Sequence, residues 1–461
     1  MLTKAPIPVR SLPRPTEAAT QQRRPARLAR AFLALAMAYL LLGLLFGSLG
    51  SLQYVLPAFL KESFGFQKTR PLHVYLATSW IFTAAQGLLY FYLPRAAGRP
   101  LRWPRAGWLH WWLQLGTSVL VIGCFFAGRF GGREYLEFPP VVGLLIGLSW
   151  LPLAANFFAT LRPDFRTAPV FHWSWTVGIL FFFITLSESY LWLLDAFFDN
   201  PVRDTTVQWK ALGSMVGSWN MLIYGSTMFL MQRLRGDTRI GQAPESFFFF
   251  FLGFTNLLFN WGHHTYIVPA APWVRDVSYV ISMTELLLLA QLLWKFRRTM
   301  RGLRTDYNAL PLRLLAYADL WILLNLAVAI ALSVPALNAY THGTHLTVAH
   351  AMGATIGINS MLLLASVCYI AQRVAPRAFA RARRGIGRAV NLSNGALLVF
   401  WTSLVGAGLV KISAALGNEP FARMMQASAP VFRLFAASGL LLLCGFVWLL
   451  LPLFRMMLGR D

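Results

Sequence analysis

The chain has 461 residues, of which 57% are hydrophobic, 15% aromatic and only 13% charged, and its mean hydropathy is +0.55. Soluble globular proteins carry about 25% charged residues, so this composition excludes an ordinary soluble protein and is typical of a chain with many membrane spans. The formal net charge is +24, but the basic residues lie in short loops between apolar segments. We therefore expect a lipid bilayer around the chain and no nucleic-acid partner.

The first 27 residues and the cysteines exclude further classes. Residues 1–27 are polar, carry five arginines and lack the short apolar core of a signal peptide, which predicts a disordered basic cytoplasmic tail. Cys124, Cys368 and Cys444 lie in apolar segments and show no CxxC or CxxCH spacing. We expect no disulfide framework, no zinc site and no covalently attached c-type heme.

Twelve apolar runs follow, each close to the ~20 residues that cross a bilayer. They cover approximately residues 30–57, 73–93, 106–127, 139–161, 169–198, 208–232, 246–268, 273–295, 311–336, 344–372, 391–415 and 430–456. No soluble domain interrupts them. The sequence therefore predicts an all-α polytopic membrane protein with about 12 transmembrane helices in a single domain, residues 28–461.

Basic residues mark alternate loops, namely those after the second, fourth, sixth, eighth and tenth spans. The loop after the tenth span alone has six arginines between positions 373 and 388, whereas the loop at 195–204 has three aspartates and one arginine. Because Lys and Arg are retained on the cytoplasmic side, we predict that both termini are cytoplasmic, in a bacterial cytoplasmic (inner) membrane.

Four histidines then fall in the outer third of the membrane. His73 opens the second span, His263 and His264 lie near the outer end of the seventh, and His350 is about two turns into the tenth. An unsatisfied polar group in hydrocarbon costs several kcal/mol, so these imidazoles must meet a partner, a cavity or a metal. Hydrogen bonds to neighbouring helices would explain the adjacent pair, His263 and His264. They would not explain why histidines from three spans lie at the same depth in the membrane.

These motifs resemble a known family. The twelve spans, the histidine of the second span, the His-His pair of the seventh and Tyr-Thr-His-Gly-Thr-His-Leu-Thr-Val-Ala-His at 340–350 resemble the catalytic subunit of the heme-copper oxidase superfamily. The closer resemblance is to the nitric oxide reductase and cbb-type cytochrome c oxidase branch, and it covers roughly residues 30–375. The last two spans match only in hydrophobicity.

The resemblance implies a set of cofactor ligands. His350 is the expected proximal ligand of a high-spin heme, facing a non-heme iron or copper held by His263 and His264. His73 is the expected ligand of a second, low-spin heme. Imidazole suits iron and copper equally well, so the ligands leave the metal open.

Met352 is the first departure from the family pattern, because it stands where the family has the second axial histidine of the low-spin heme. A thioether ligates heme iron, and a His/Met pair raises the reduction potential relative to bis-His. The alternative is that Met352 only fills the core, which is the commoner role of a membrane methionine.

Ser214 is the second departure, at the position of the family's metal-binding histidine in the sixth span. A neutral hydroxyl is a poor ligand for copper or ferrous iron, so the site lacks one ligand. Two carboxylates in apolar segments, Glu285 and Glu188, are candidate catalytic residues. For Glu285, proton transfer, metal ligation and a structural hydrogen bond all remain open, and a His-His-carboxylate set would favour iron.

A missing tyrosine bears on the reaction. Oxygen-reducing members carry a tyrosine at one of two places, which here hold Ser218 and Leu257. The resemblance therefore favours a membrane respiratory oxidoreductase similar to the nitric oxide reductase large subunit, which reduces NO to N2O. Its electrons would come from a c-type cytochrome subunit, a soluble cytochrome c or quinol.

Two alternatives remain open. One is a cbb-type cytochrome c oxidase subunit I that reduces O2 to water, with a redox-active tyrosine elsewhere, such as Tyr224 or Tyr266. The other is a heme-binding paralogue without catalytic activity, acting as a sensor or accessory subunit, and the loss of the histidine at position 214 motivates it.

Overall fold

The computed structural model describes residues 18–299 and 306–459. Within these ranges the chain forms twelve long helices and no β-strand. The helices are α1 (Ala18–Gln53), α2 (Phe66–Ala97), α3 (Pro104–Phe126), α4 (Pro140–Leu161), α5 (Val170–Glu188), α6 (Pro201–Arg235), α7 (Pro244–Phe259), α8 (Pro272–Thr299), α9 (Ala309–Ser333), α10 (His345–Val374), α11 (Pro376–Leu416) and α12 (Phe421–Leu458). A 3-10 segment, Asn260–Thr265, continues α7, and short helices occupy Lys61–Phe64, Asp195–Phe198 and Pro335–Thr341.

Each predicted span coincides with one long helix, so the prediction of an all-α bundle with many membrane spans is confirmed. Among the described residues, eight of these helices are long and apolar enough to cross a membrane by length and composition alone. The other four, α2, α6, α7 and α8, contain or precede His73, Ser214, the histidine pair and Glu285. Of these four, α7 has only 16 residues before the 3-10 segment that carries the histidine pair.

The predicted tail is described only in part. Residues 1–17 lie outside the described residues, and α1 already begins at Ala18, within the range predicted as a disordered tail. Elsewhere the helix boundaries follow simple local signals. Proline occupies the first turn of α3, α4, α6, α7, α8 and α11, where its missing N–H breaks no helical hydrogen bond.

Helix α2 lies at the centre of the bundle and runs parallel to α6. Phe82 packs edge-on against Trp219 at a centroid distance of 5.5 Å, and Tyr92 contacts Phe229 at 4.9 Å. Residue numbers rise together in the two contacts, so the chain directions agree.

Helix α10 is also parallel to α2. The Trp80 indole N–H donates to Ser360 Oγ at 2.9 Å, and further along both helices the rings of Tyr92 and Tyr369 lie 6.4 Å apart. The C-terminal ends of α2, α6 and α10 therefore meet at one end of the bundle, which we call the basic face because each of these ends carries arginine. The predicted ligands on α2 and α10 lie nearer the opposite face.

Ion pairs hold the opposite face together. Arg70, near the start of α2, pairs with Glu134 and, at 2.7 Å, with Glu137 of the loop between α3 and α4. Arg133 of the same loop pairs with Asp204 of α6 at 2.6 Å. Burial raises the pKa of the Glu137 carboxyl, and the Arg70 guanidinium opposes that shift. These contacts fix the start of α2 only three residues before His73.

Candidate heme and metal site

One internal cavity of about 960 Å³ brings five predicted ligands together. Its walls include His73 of α2, His350 and Met352 of α10, and His263 and His264 of the segment after α7. Cofactor and ligand pockets typically have volumes of about 300–1,000 Å³, so this cavity is large for a single small molecule. Its walls run from the helices around His73 to the histidine pair without a break.

His73 is held against α1 by a close backbone contact. Its Nδ1 lies 2.7 Å from the carbonyl oxygen of Gly43. One turn further along α1, a Cβ on Gly47 would come within 2.6 Å of the same nitrogen, so glycine is required there. With Nδ1 bonded to a carbonyl, Nε2 is the nitrogen available to a metal in the cavity.

Met352 lies at the same depth as His73 on the neighbouring helix. The hydrogen bond between Trp80 and Ser360 joins α2 and α10. His73 precedes Trp80 by seven α-helical residues, or roughly 10 Å. Met352 precedes Ser360 by eight residues, but these are π-helical and advance less per residue than an α-helix, so the two side chains lie at a similar distance from that bond. At a similar depth on neighbouring helices, His73 and Met352 would be placed to hold one heme between them.

His350 points to a different side of α10. His350 and Met352 are two positions apart on α10, and side chains at that spacing point about 200° apart around the helix axis. They therefore face different parts of the cavity. The backbone carbonyl of Asn325 on α9 faces the His350 ring. Its buried Nδ1 makes no hydrogen bond of acceptable geometry within the described residues.

A π-helical segment follows these ligands directly. Residues Gly353–Ser360 are π-helical, and Ser360 Oγ bonds the Thr355 carbonyl five residues earlier at 2.8 Å. Gly353 and Gly357 let α9 approach closely, because a Cβ on Gly357 would come within 2.5 Å of the Trp321 ring. Such π segments are rare in helices and are frequent at functional sites.

The rings of the two adjacent histidines lie close together in the 3-10 segment that carries them. The rings of His263 and His264 lie 4.2 Å apart, and His264 stacks on Trp209 of α6 at 4.7 Å with an interplanar angle of 8°. Gly262 permits this arrangement, since a Cβ there would come within 2.8 Å of Ser278 Cβ on α8.

Polar neighbours orient His263. Its Nδ1 lies 3.3 Å from Asn260 Oδ1, which also accepts a 2.6 Å hydrogen bond from the Ser282 hydroxyl. The Asn338 amide donates to the His263 carbonyl at 3.1 Å. Partners of this kind fix the orientation of a ligating imidazole.

Ser214 takes no part in the cavity. Its hydroxyl donates to the carbonyl oxygen of Leu257 on α7 at 2.9 Å. A Cβ on either Gly213 or Gly217 would come within 2.5 Å of α7 or the segment after it. The two helices are therefore too close to accommodate an imidazole at position 214. Within residues 18–299 and 306–459, no group of three or more His, Cys, Asp or Glu side chains is placed to hold a metal ion.

Of the two predicted carboxylates, the structure describes the side chain of one. Glu188, at the end of α5, forms an ion pair with Lys210 of α6 and does not line the cavity. Glu285 belongs to α8, but its side chain lies outside the described residues.

Neither position of the family tyrosine offers a phenol. The Ser218 hydroxyl donates to the Gly178 carbonyl at 2.7 Å, and Leu257 is buried. Of the two tyrosines considered as substitutes, Tyr224 lines the cavity and Tyr266 does not. Tyr224 follows Ser214 by ten residues, or about 15 Å along α6 towards the basic face.

Asp319 is a cavity residue that sequence reasoning missed. It lies inside α9 and lines the cavity, six residues or about 9 Å nearer the basic face than Asn325. It is the one acidic residue of the predicted span 311–336. An ionisable residue within a membrane span is by default a functional candidate, so that signal was present in the sequence.

A helical membrane bundle that gathers histidines from its second, seventh and tenth long helices around one cavity defines a protein of the heme-copper oxidase type. The chain belongs to the cytochrome c and quinol oxidase polypeptide I family, whose model matches residues 27–455. The predicted resemblance is thereby confirmed, and the chain is a divergent subunit I.

Individual relatives are distant. A nitric oxide reductase subunit of Stutzerimonas stutzeri is 23% identical over 374 residues, which are 75% of this chain and 73% of the relative. A cytochrome c oxidase subunit 1 homolog of Agrobacterium tumefaciens (strain T37) is 21% identical over 358 residues, covering 72% of this chain and 64% of that protein. A heme-copper terminal oxidase dimer solved by cryo-EM superposes with a TM-score of 0.72 at 14% identity, covering 94% and 84% of the two chains.

Family membership implies hemes and a metal at a binuclear site, together with electrons from cytochromes or quinols. The residues present fit the hemes, because His73 and Met352 lie at a similar depth and the buried Nδ1 of His350 has no hydrogen-bond partner in the part of the chain that the structure describes. They fit the non-heme metal in part: two oriented histidines converge, and the position of the family's third histidine is occupied by Ser214.

Proposed function

We propose that this protein reduces nitric oxide to nitrous oxide, by the balance 2 NO + 2 e⁻ + 2 H⁺ → N2O + H2O. One observation carries the proposal: the cavity joins the heme and metal ligands but has no phenol at either position of the oxidase tyrosine. A two-electron reduction of NO needs no such group, whereas cleavage of O2 does.

The ligands divide into an electron-transfer part and a reaction part. His73 and Met352 hold the low-spin heme, His350 holds the high-spin heme, and His263 and His264 hold a non-heme iron or copper. When bound, these groups supply the electrons and the site at which two NO molecules are reduced. Asn260 fixes the His263 ring, and the stacked Trp209 keeps His264 in place and excludes water from one face.

The reaction consumes two protons, and the chain must deliver them to a cavity inside the bundle. Asp319 lines the cavity between the basic face and the His350 region, where a carboxylate can bind and release a proton. Glu285 and Glu188 remain candidates for the same work. The ion pair with Lys210 places Glu188 at the opposite face rather than at the cavity wall.

The electron donor is a c-type cytochrome subunit, a soluble cytochrome c or quinol. No CxxCH motif is present in the chain, so a c-type heme must come from another protein. We place the protein in a bacterial inner membrane with both termini and the basic face in the cytoplasm.

Oxygen reduction is the second candidate, and Tyr224 favours it because this tyrosine lines the cavity. The two candidates are separated by a turnover assay on purified protein with defined heme and metal content. We expect NO consumption with N2O formation, loss of both in His350→Ala, and no loss in Tyr224→Phe. Faster consumption of O2 than of NO, abolished by Tyr224→Phe, would establish the oxidase instead. A chain with hemes that turns over neither gas would be a non-catalytic paralogue.

A further inference from the structure

Three aromatic side chains bring α2, α6 and α10 together near the basic face. The ring of Tyr92 on α2 lies 4.9 Å from that of Phe229 on α6 and 6.4 Å from that of Tyr369 on α10. Because the three helices are parallel, the residues one turn later on each must also be neighbours.

One turn later each helix carries an arginine. Arg95 follows Tyr92 by three residues, while Arg233 and Arg373 follow Phe229 and Tyr369 by four. Residues three or four apart lie on the same side of a helix. The positive charges of Arg233 and Arg373 both act on Arg95, as expected if the three guanidinium groups converge. We call these residues the arginine triad.

The triad has no carboxylate partner among the described residues. The Arg95 guanidinium lies 3.6 Å above the Phe91 ring and donates to the Phe91 carbonyl, and Arg373 lies 3.5 Å above the Tyr369 ring. Asp237, in the loop after α6, pairs with Arg239 and Arg235 instead. Each guanidinium has five N–H donors, so the bond to a helix carbonyl leaves donors of Arg95 for an anion.

Positive charge at these helix ends has a simpler explanation that covers only part of the observation. Cytoplasmic loops attract arginine, and a cation stabilises the C-terminal end of a helix. Both effects are satisfied by well-separated arginines. Convergence of three cations from three helices adds mutual repulsion, which an anion between them would offset.

We propose that the arginine triad binds the phosphate group of an acidic phospholipid at the basic face. Guanidinium groups recognise phosphate through charge-assisted hydrogen bonds. Arg95 is half-buried between the helices while Arg233 and Arg373 are exposed, so the triad opens outwards. It lies at the ends of membrane-spanning helices, where lipid headgroups are concentrated, and basic sites between such helices recognise acidic lipids.

The test is native mass spectrometry of the full chain released from bilayers of equal phosphatidylglycerol and phosphatidylcholine. We expect the wild type to retain phosphatidylglycerol selectively, and Arg95→Gln with Arg233→Gln and Arg373→Gln to lose that selectivity. The matched control replaces three exposed arginines of α11, Arg377, Arg381 and Arg384, with Gln. It removes the same charge and should retain the lipid.

A single substitution at an exposed arginine of the triad controls for misfolding of the triple variant. Arg233→Gln should lower phosphatidylglycerol retention relative to Arg384→Gln at an unchanged melting temperature. Equal retention of the two lipids by the wild type, or equal loss in the α11 control, would overturn the proposal. Displacement of the lipid by millimolar inorganic phosphate would show a site for free anions rather than for lipid, and would also overturn it.

Discussion

The two sides of the cavity differ in how closely they keep the family's ligand pattern. On the side formed by α1, α2 and α10, His73 bonds the Gly43 carbonyl, and Met352, which stands where the family has a histidine, has a thioether that we propose as a heme ligand. On the side formed by α6 and α7, Ser214 replaces a histidine with a side chain that turns away and bonds Leu257. A substitution on the first side preserves the ligand position, whereas one on the second removes it.

The second side shows how a bundle adjusts to the loss of a large side chain. Gly213 and Gly217 flank Ser214, and both let α6 pack directly on α7 and the segment after it. The interface between α6 and α7 around Ser214 is therefore close-packed, as protein interiors generally are.

The largest expected effect is a loss of NO turnover on substitution of Asp319, which lies on α9 and belongs to neither of the two sides. If this carboxylate delivers protons, Asp319→Asn should slow NO turnover by at least about 100-fold, the lower end of the general acid–base range. Asp319→Glu should keep most of the activity, and the exposed control Asp199→Asn should keep all of it. Stopped-flow and steady-state NO consumption measure the effect. Full activity in Asp319→Asn would remove this residue from the proton path.

The second largest effect is expected at Asn260, which orients His263 on the side of the cavity formed by α6 and α7. Asn260→Ala removes the oxygen next to His263 Nδ1, and loss of such a partner typically costs about 10–100-fold in metal affinity. Competition with a chelator, read out by metal analysis, gives the affinity. Asn391→Ala, an exposed site on α11, is the control. An unchanged affinity would mean that the pair binds metal without help from Asn260, or binds none.

Restoring the family residue at position 214 tests the packing argument directly. Ser214→His should not raise the metal content, and we expect overpacking between α6 and α7 to cost about 1–3 kcal/mol of stability. Ser214→Ala, which loses only one hydrogen bond, should cost about 1 kcal/mol. Thermal melting and metal analysis of both variants decide the matter. A gain of metal in Ser214→His at an unchanged melting temperature would contradict the close packing described above.

The smallest effect is expected at Met352, on the side formed by α1, α2 and α10, and it concerns the reduction potential of the low-spin heme. Met352→His restores a bis-His pair, so the low-spin heme should stay bound while its reduction potential falls. Redox titration of the heme absorbance measures the shift, with Met424→His, on α12 outside the cavity, as control. If neither the potential nor the spectrum responds, Met352 is a core residue and not a ligand.

Sequence patterns predicted the helices and selected histidines that line one cavity, because both depend on local hydrophobicity and on residue type at fixed spacing. The direction of Ser214 could not be predicted, since it depends on how closely α7 approaches. His110 shows the same limit. Its place near a span boundary predicts a solvated or capping residue, which is wrong: it is fully buried, bonds the Tyr90 hydroxyl at 3.0 Å and packs on Phe32.

The π-helical turn in α10 also affects how this chain should be aligned with its relatives. A π turn fits more residues into a given rise than an α turn, so the chain advances less along the helix axis between Gly353 and Ser360. Residues after Ser360, such as Tyr369 and Arg373, therefore face a different side of α10 from the one that uniform α-helical counting from His350 would give. Which neighbours these residues meet can be read only from the structure.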